Sequence, residues 1–280
     1  MLNTNDLETL EDQCFENFIS LIHRLTGITI AKNRKSMVQG RLRKRVQLLA
    51  LKTYEEYYDY VCGNTDEKKP FIDLITTNET YFFRTPRIWS YLEDQFLPSW
   101  IEANPGKVFR AWSAASSTGE EAYSLGILLQ QFKMKYPNFD FQISASDISQ
   151  RVLDICEHGR YQGRSIENFK NSQPLVFNRF MQKNADESFS VHSDVKGRVK
   201  FFQHNLFNKL ADKKEFDLIL IRNVFIYFTS EDQKKVLNLL TPIISKDGTL
   251  IIGESETLSG IDDGLMKVEN LIYKKKSTNE

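Results

Sequence analysis

The chain has 280 residues, 41% of them hydrophobic, with twenty Phe and eleven Tyr, which is core material for one large or two modest domains and excludes a disordered chain. Lysine plus arginine equals aspartate plus glutamate at 37 each, so global charge favours no nucleic-acid or membrane partner. No apolar run exceeds five residues (Val224 to Phe228), where a membrane-spanning helix needs about 20, and the first residues carry neither a basic nor an apolar signal segment.

In chain order, Phe15, Phe18, Ile19 and Ile22 repeat at helical spacing, and Gly27 is placed to stop that helix. From Asn17 to Tyr54 there is no acidic residue, yet there are nine Lys or Arg. Taken as one helix from Arg34 to Lys52, this stretch sets Arg34, Arg41, Arg45 and Lys52 along one face beside an apolar stripe of Val38, Leu42, Val46 and Leu49. Such a ridge suits an acidic helical partner; a plain solvated face and a nucleic-acid surface are the other readings. Gly63-Asn64 and Pro70 mark a turn, so a small helical domain is expected over 1–72, followed by a linker over about 73–105.

From Lys107 the pattern alternates. Strands are expected at 107–114, 141–146, 199–203, 216–221 and 249–252, and a last one at 265–274. Helices are expected at 119–132, 150–157 and 231–244. Strands alternating with helices imply βαβ units and a mainly parallel sheet in an α/β fold over 73–280. Residues 160–198 break the rhythm and read as an insertion, about 168–198 at its core, with a small antiparallel element. Lys274 to Glu280 reads as a solvated end. Cys14, Cys62 and Cys156 are spaced far apart, which reads as three small buried hydrophobes in a reducing cytoplasm rather than a disulfide frame.

Ligands of an open α/β sheet bind outside the carboxyl ends of its strands. The first strand runs into Ser113-Ala-Ala-Ser-Ser-Thr-Gly-Glu-Glu121, which holds neither Gly-x-Gly-x-x-Gly nor a P-loop. Glu120 and Glu121 sit where a phosphate would be repelled and a cationic ligand would be welcome. Helix capping by Ser116 or Ser117, with both Glu residues on the helix dipole, explains the same motif equally well. Asp147 ends the second strand, where a carboxylate can accept hydrogen bonds from ribose or cap the next helix. Asn205 follows the third strand and Arg222-Asn223 the fourth. Polar residues at four successive strand ends favour a nucleoside-containing cofactor over four independent caps.

Thr76-Thr-Asn-Glu-Thr-Tyr-Phe-Phe-Arg84, Arg110-Ala-Trp-Ser-Ala-Ala-Ser-Ser-Thr-Gly-Glu-Glu121, Ala145-Ser-Asp-Ile148, Arg222-Asn-Val-Phe-Ile-Tyr-Phe228 and Gly253-Glu-Ser-Glu256, in this order, resemble the CheR-type chemotaxis receptor glutamate O-methyltransferases. The resemblance spans nearly the whole chain. It implies a class I methyltransferase (Rossmann-like) domain with a small all-helical N-terminal domain and an inserted β-subdomain. It implies S-adenosylmethionine as cofactor, held by Asn78, Thr80, Arg84, Glu121, Asp147, Asn205, Leu206, Arg222 and Asn223, with S-adenosylhomocysteine as product. Arg84 and Tyr227 match the residues nearest the methyl transfer. The implied partner is the cytoplasmic helical region of membrane chemoreceptors, met by a cytoplasmic monomer, with neither nucleic-acid binding nor membrane insertion expected.

A glutamate side chain, with an ordinary pKa of about 4.3, is already an anionic nucleophile near pH 7. In-line displacement at a sulfonium methyl therefore needs alignment rather than a general base. Arg84 is expected to hold a carboxylate, and Tyr227 to orient the nucleophile or line the methyl channel. On pattern alone Tyr227 would be a core aromatic. His23, His158, His192 and His204 show no metal-ligand spacing, so no metal is expected. Two rivals stand beside this reading: a methyltransferase acting on an amine or RNA, and a cofactor-binding signalling module without activity.

Overall fold

A computed structural model describes residues 9–211, 214–261 and 264–276. The end of the expected solvated tail, 277–280, lies outside the described residues. The chain divides into two compact units, one made of residues up to Thr77 with Tyr227–Gln233, the other of Asn78–Ile226 with Lys234 onward.

In the first unit the helix Asp12–Thr26 stops at Gly27, whose φ of 73° lets its N–H return to the His23 carbonyl. Its apolar face buries Phe15, Phe18 and Ile22, and Phe18 packs against Tyr57, Tyr58 and Phe71. The helices Lys35–Leu48, Tyr54–Gly63 and Lys68–Ile75 close this core. Thr53 caps the start of the helix Tyr54–Gly63 by accepting the Glu56 N–H. Thr29 N–H donates to the Tyr227 carbonyl at 2.8 Å, and His23 Nε2 lies 2.8 Å from Asp232 Oδ2, which draws Tyr227–Gln233 into the unit.

The expected single helix from Arg34 to Lys52 is corrected. Arg34 ends a separate 3₁₀ turn, Lys32–Arg34, and the helix stops at Leu48. Ala50 takes a φ of 55°, and Lys52 begins the next cap by donating its N–H to Glu56 Oε2.

The second unit contains all ten strands among the described residues: β1 (Val108–Ser113), β2 (Asp140–Asp147), β3 (Arg160–Tyr161), β4 (Met181–Lys183), β5 (Phe189–Val191), β6 (Val199–Gln203), β7 (Phe216–Ile221), β8 (Ile244–Ile252), β9 (Leu265–Glu269) and β10 (Ile272–Lys275). Seven form one sheet in the order β6-β2-β1-β7-β8-β10-β9. From β6 to β8 every pairing is parallel, and β10 runs antiparallel to both its neighbours. The order reverses between β1 and β7, so a crevice opens at the carboxyl ends of these two strands. A second, antiparallel sheet, β3-β5-β4, is the inserted element. Its first strand starts at Arg160, ahead of the expected 168. This is the mainly parallel, Rossmann-like α/β architecture expected, with its helical N-terminal part and its small antiparallel sheet.

Four expectations fail locally. The stretch 73–105 is not a linker: helical from Pro86 to Ala103, it buries Ile88, Trp89, Leu92, Phe96, Leu97 and Trp100. At about 1.5–3 kcal/mol for each large apolar side chain removed from water, such a segment belongs to the core. The last strand is two, β9 and β10, folded back through Leu271 at φ 71°. The helix after β7 spans Ser230–Leu240, and Pro242 turns the chain into a 3₁₀ segment. Of the cysteines, Cys14 and Cys156 are buried as expected, but Cys62 is exposed. Among the described residues no helix is long and apolar enough to cross a membrane.

Candidate cofactor and active site

The candidate site lies in the second unit, at the carboxyl ends of β1, β2 and β7. Two hydrogen-bonded clusters build it. In the first, Asp147 at the end of β2 accepts the Ser117 N–H on Oδ2 at 2.9 Å and the Ser149 N–H on Oδ1 at 3.0 Å. Ser117, at φ 50°, donates its hydroxyl to the Asn78 carbonyl at 2.9 Å. Asn78, the loop after β1 and Asp147 are thus tied together. The cap of the helix after β2 is Ser149, which accepts the Val152 N–H, so Asp147 is not spent as its cap. Nor do Ser116 and Ser117 cap the helix Glu120–Lys135, whose N-cap is Gly119 at φ 95°. A Cβ at Gly119 would stand 2.9 Å from both Cys156 Sγ and Tyr161 Oη, which leaves no room for a side chain at this bend.

In the second cluster, Arg222 is 5% exposed and pairs with Glu121 Oε2 at 2.9 Å. Its other terminal nitrogen donates to the Arg84 carbonyl at 3.0 Å. Glu121 Oε1 accepts the Ser113 hydroxyl at 2.8 Å. Removing either partner would leave a buried charge unpaired. Arg222 Nε is buried without a partner in the structure, an orphan donor at the strand ends.

Arg84 is held between two left-handed residues, Phe83 (φ 54°) and Thr85 (φ 64°). Its carbonyl also accepts Trp89 Nε1–H, while its guanidinium lies 5.6 Å from the Tyr81 ring centroid. No carboxylate pairs with Arg84 among the described residues, so its charge is available to a ligand carboxylate.

Asn223 follows Arg222 at φ 59°. Glu256, 8% exposed, supports this turn: its carboxylate accepts N–H groups from Asn223 (3.0 Å), Ile226 (3.3 Å) and Gly253 (2.5 Å). Burial pushes the Glu256 pKa up, against the opposing pull of those donors. A Cβ at Gly253 would lie 2.6 Å from the Asn223 nitrogen, so only glycine lets the two turns approach. Burial likewise raises the pKa of Glu120, whose Oε2 accepts the Thr118 hydroxyl at 2.6 Å. Asn205 turns its own loop by accepting the Phe207 N–H, and Leu206 is buried.

The structure therefore joins Asn78 with Asp147 and Arg84 with Glu121 and Arg222, with Asn223 next in the chain. Thr80, Asn205 and Leu206 lie on neighbouring loops. Tyr227 is half-buried and groups with the first unit. Sequence reasoning missed Ser113, Ser117 and Glu256; the Gly-x-x-Glu spacing at 253–256 was visible but carried no role. The donor set suits S-adenosylmethionine: a carboxylate at the end of β2 for ribose hydroxyls, an unpaired Arg84 for a carboxylate, and loops tightened by glycine for close backbone approach.

The four basic residues expected as a substrate ridge are not gathered into one. Arg41 donates to the carbonyls of Ile75 and Thr76 and to Thr77 Oγ1, and Arg45 makes a bidentate pair with buried Glu67 at 2.6 and 2.7 Å. Arg34 and Lys52 are exposed and lie outside the helix.

Comparison with known proteins adds identity to this geometry. Residues 78–273 match the family model described as CheR methyltransferase, SAM binding domain, and residues 13–76 match CheR methyltransferase, all-alpha domain. Chemotaxis protein methyltransferase Cher2 of Pseudomonas putida is 29% identical over 94% of this chain and 98% of its own length. Chemotaxis protein methyltransferase 1 of Vibrio cholerae is 32% identical over 96% and 98%. A chemotaxis protein methyltransferase of Borreliella burgdorferi is 31% identical over 92% of each chain.

Proposed function

The chain belongs to the CheR methyltransferase family and uses S-adenosylmethionine in a chemotaxis system, and from that premise we propose that it methylates glutamate side-chain carboxylates of chemoreceptors, giving glutamyl methyl esters. The observation that carries this reading is the pair of strand-end clusters, with Arg84 left without a carboxylate partner beside them.

The cofactor, when bound, supplies an electrophilic methyl group on a sulfonium. Asp147 is proposed to hold the ribose hydroxyls, and Asn205 and Leu206 to bound the base. Asn78, Thr80 and the loop after β1 close over the nucleoside. Arg84 is proposed to hold a carboxylate by charge-assisted hydrogen bonds. The Glu121–Arg222 pair fixes the main chain of Arg84, and Glu256 fixes that of Asn223. Tyr227 is proposed to orient the attacking carboxylate. No proton needs to leave the nucleophile, so these residues contribute alignment and exclusion of water. Residues 1–72 are proposed as the substrate-recognition part and 73–280 as the catalytic part. Of the expected substrate-binding set, Arg34 and Lys52 present free cations for an acidic receptor helix, whereas Arg41 and Arg45 act by shaping the helical unit.

The test is incubation with methyl-labelled cofactor and receptor-containing membranes. Label on the receptor that is released as methanol in mild alkali supports the reading. Alkali-stable label, or label on RNA, moves the activity to an amine or nucleic-acid substrate. Cofactor binding without any transfer leaves a signalling module.

A further inference from the structure

Two non-glycine residues in left-handed backbone flank Arg84, Phe83 at φ 54° and Thr85 at φ 64°. Such conformations cost energy and persist only where the surroundings hold them. On the carbonyl side of Arg84 the hold is the one already described: its oxygen takes the Arg222 Nη2–H at 3.0 Å and the Trp89 Nε1–H at 2.9 Å. On the amide side the hold comes from a residue outside both clusters. The Phe83 N–H donates to Ser124 Oγ at 2.9 Å, across 41 residues of sequence.

Ser124 is fully buried in the helix Glu120–Lys135. Its hydroxyl donates to the Glu120 carbonyl at 2.6 Å, which leaves its oxygen free to accept from Phe83. A helical serine that only returned its proton to the carbonyl four residues back would serve its own helix and slightly weaken it. Here the same oxygen also takes a main-chain N–H from the loop that presents Arg84. Glu121 and Ser124 are three residues apart and so share one face of the helix. Glu121 pairs with Arg222, which grips the Arg84 carbonyl, and Ser124 grips the Phe83 amide. One helix face therefore holds the main chain on both sides of Arg84, while the Arg84 side chain stays half-buried. The Phe83 ring is fixed as well, 5.6 Å from the Trp89 ring and 5.0 Å from that of Phe169, centroid to centroid.

We propose that Ser124 is a positioning residue for Arg84: by holding the Phe83 amide it sets the left-handed backbone from which the guanidinium meets the carboxylate of the methyl donor's amino-acid part. The proposal rests on the reading that Arg84 holds a ligand carboxylate, and it commits that carboxylate to the cofactor. A guanidinium fork binds a carboxylate through two parallel bonds and is therefore sensitive to its aim. The nucleoside part is assigned to the other cluster, around Asp147, so loosening Phe83 should weaken one half of the cofactor's grip and spare the other.

Calorimetric titration of the full chain with two probes tests this: S-adenosylhomocysteine, and methylthioadenosine, which keeps the nucleoside and thioether but has no carboxylate. Ser124→Ala should weaken S-adenosylhomocysteine by about tenfold and leave methylthioadenosine unchanged, since the lost acceptor acts only through Arg84. Ser124→Cys, of similar volume with a weaker acceptor, should show the same selective loss to a smaller degree and serves where the alanine variant fails to fold. Arg84→Gln should reproduce the selectivity in full. A residue that merely supported the fold would weaken both probes alike or neither, and either result in the Ser124 variants overturns the proposal. If Arg84→Gln is selective and the Ser124 variants are not, the proposal alone falls. If Arg84→Gln leaves both affinities unchanged, the assignment of Arg84 to the cofactor carboxylate falls and takes the proposal with it.

Discussion

Glu256 holds Asn223 in a left-handed turn: the Asn223 N–H donates to Glu256 Oε2 at 3.0 Å while its φ is 59°. The same carboxylate takes the Ile226 N–H on Oε1 and the Gly253 N–H on Oε2. Both oxygens thus face donors. In Glu256→Gln one position becomes an NH₂ group pointed at an N–H, whichever way the amide turns. Unfolding free energy should fall by about 1–3 kcal/mol, and affinity for S-adenosylhomocysteine should fall with it. Urea unfolding and calorimetry measure the two. A less stable protein with unaltered cofactor affinity would confine Glu256 to folding.

Asp147→Ala removes the acceptor for both Ser117 and Ser149 N–H groups as well as the proposed ribose contact. Affinity for S-adenosylhomocysteine should drop at least about tenfold, since hydrogen bonds to a charged group contribute about 1.5–3 kcal/mol each. A folded variant with wild-type affinity would remove Asp147 from the site.

Arg45 answers buried Glu67, which also accepts the Tyr57 hydroxyl at 3.0 Å. Arg45→Ala leaves that carboxylate without its counter-ion and should cost about 3 kcal/mol, the low end for a buried pair because part of Arg45 meets solvent. Arg34→Ala should be silent in the same thermal melt. Equal melting temperatures for the two variants would mean that the Arg45–Glu67 pair contributes nothing. Charge reversal across all four basic residues would unfold the helical unit before it tested the receptor, so Arg34→Glu/Lys52→Glu is the variant for methylation kinetics.

Glu120 is nearly buried and its pKa is raised, mainly by loss of solvation. A raised carboxyl pKa means that the folded protein holds its proton more tightly than the unfolded chain. The stability it contributes is therefore present at low pH and is lost as pH rises from the unfolded value of about 4.3 through the folded one. Glu120→Gln carries no such titration. Its melting temperature relative to wild type should climb between pH 4 and pH 8, order-of-magnitude bounds set by these values. A constant difference across that range would place the Glu120 pKa at its ordinary value.

Much of this was legible in the sequence because the physics was local. β6 and β7 stand where their apolar runs stand, since a strand in a parallel sheet is recorded in a few consecutive β-branched and aromatic residues. Gly27 ended its helix because only a residue tolerant of φ 73° fits there. Where the cause was distant, the reading failed. The turn signals Gly63-Asn64 and Pro70 suggested a linker after them, but Trp89 and Trp100 are drawn into a core that only the folded chain assembles. The helix from Lys35 stopped short of Lys52 because Ala50 turns left-handed, and alanine gives no warning of that. In the site, strand-end polar residues were visible in order. That Arg222 would spend its charge on Glu121, or that Glu256 would support Asn223, depends on loops about 100 and 30 residues apart meeting at one sheet edge, a pairing that no local pattern encodes.

The helical unit is not a contiguous stretch of sequence. Its boundary encloses Tyr227–Gln233, whose Asp232 meets His23 and whose Tyr227 carbonyl receives the Thr29 N–H. A gene fragment ending at Thr77 therefore encodes an incomplete body, stripped of a buried carboxylate and of Phe228. Grafting this helical unit from one relative onto another with a single crossover would mismatch it against a foreign 227–233. Exchange of the whole unit between such enzymes requires two coordinated replacements, because the seven residues 227–233 belong with the first 77 although about 150 residues separate them in the chain.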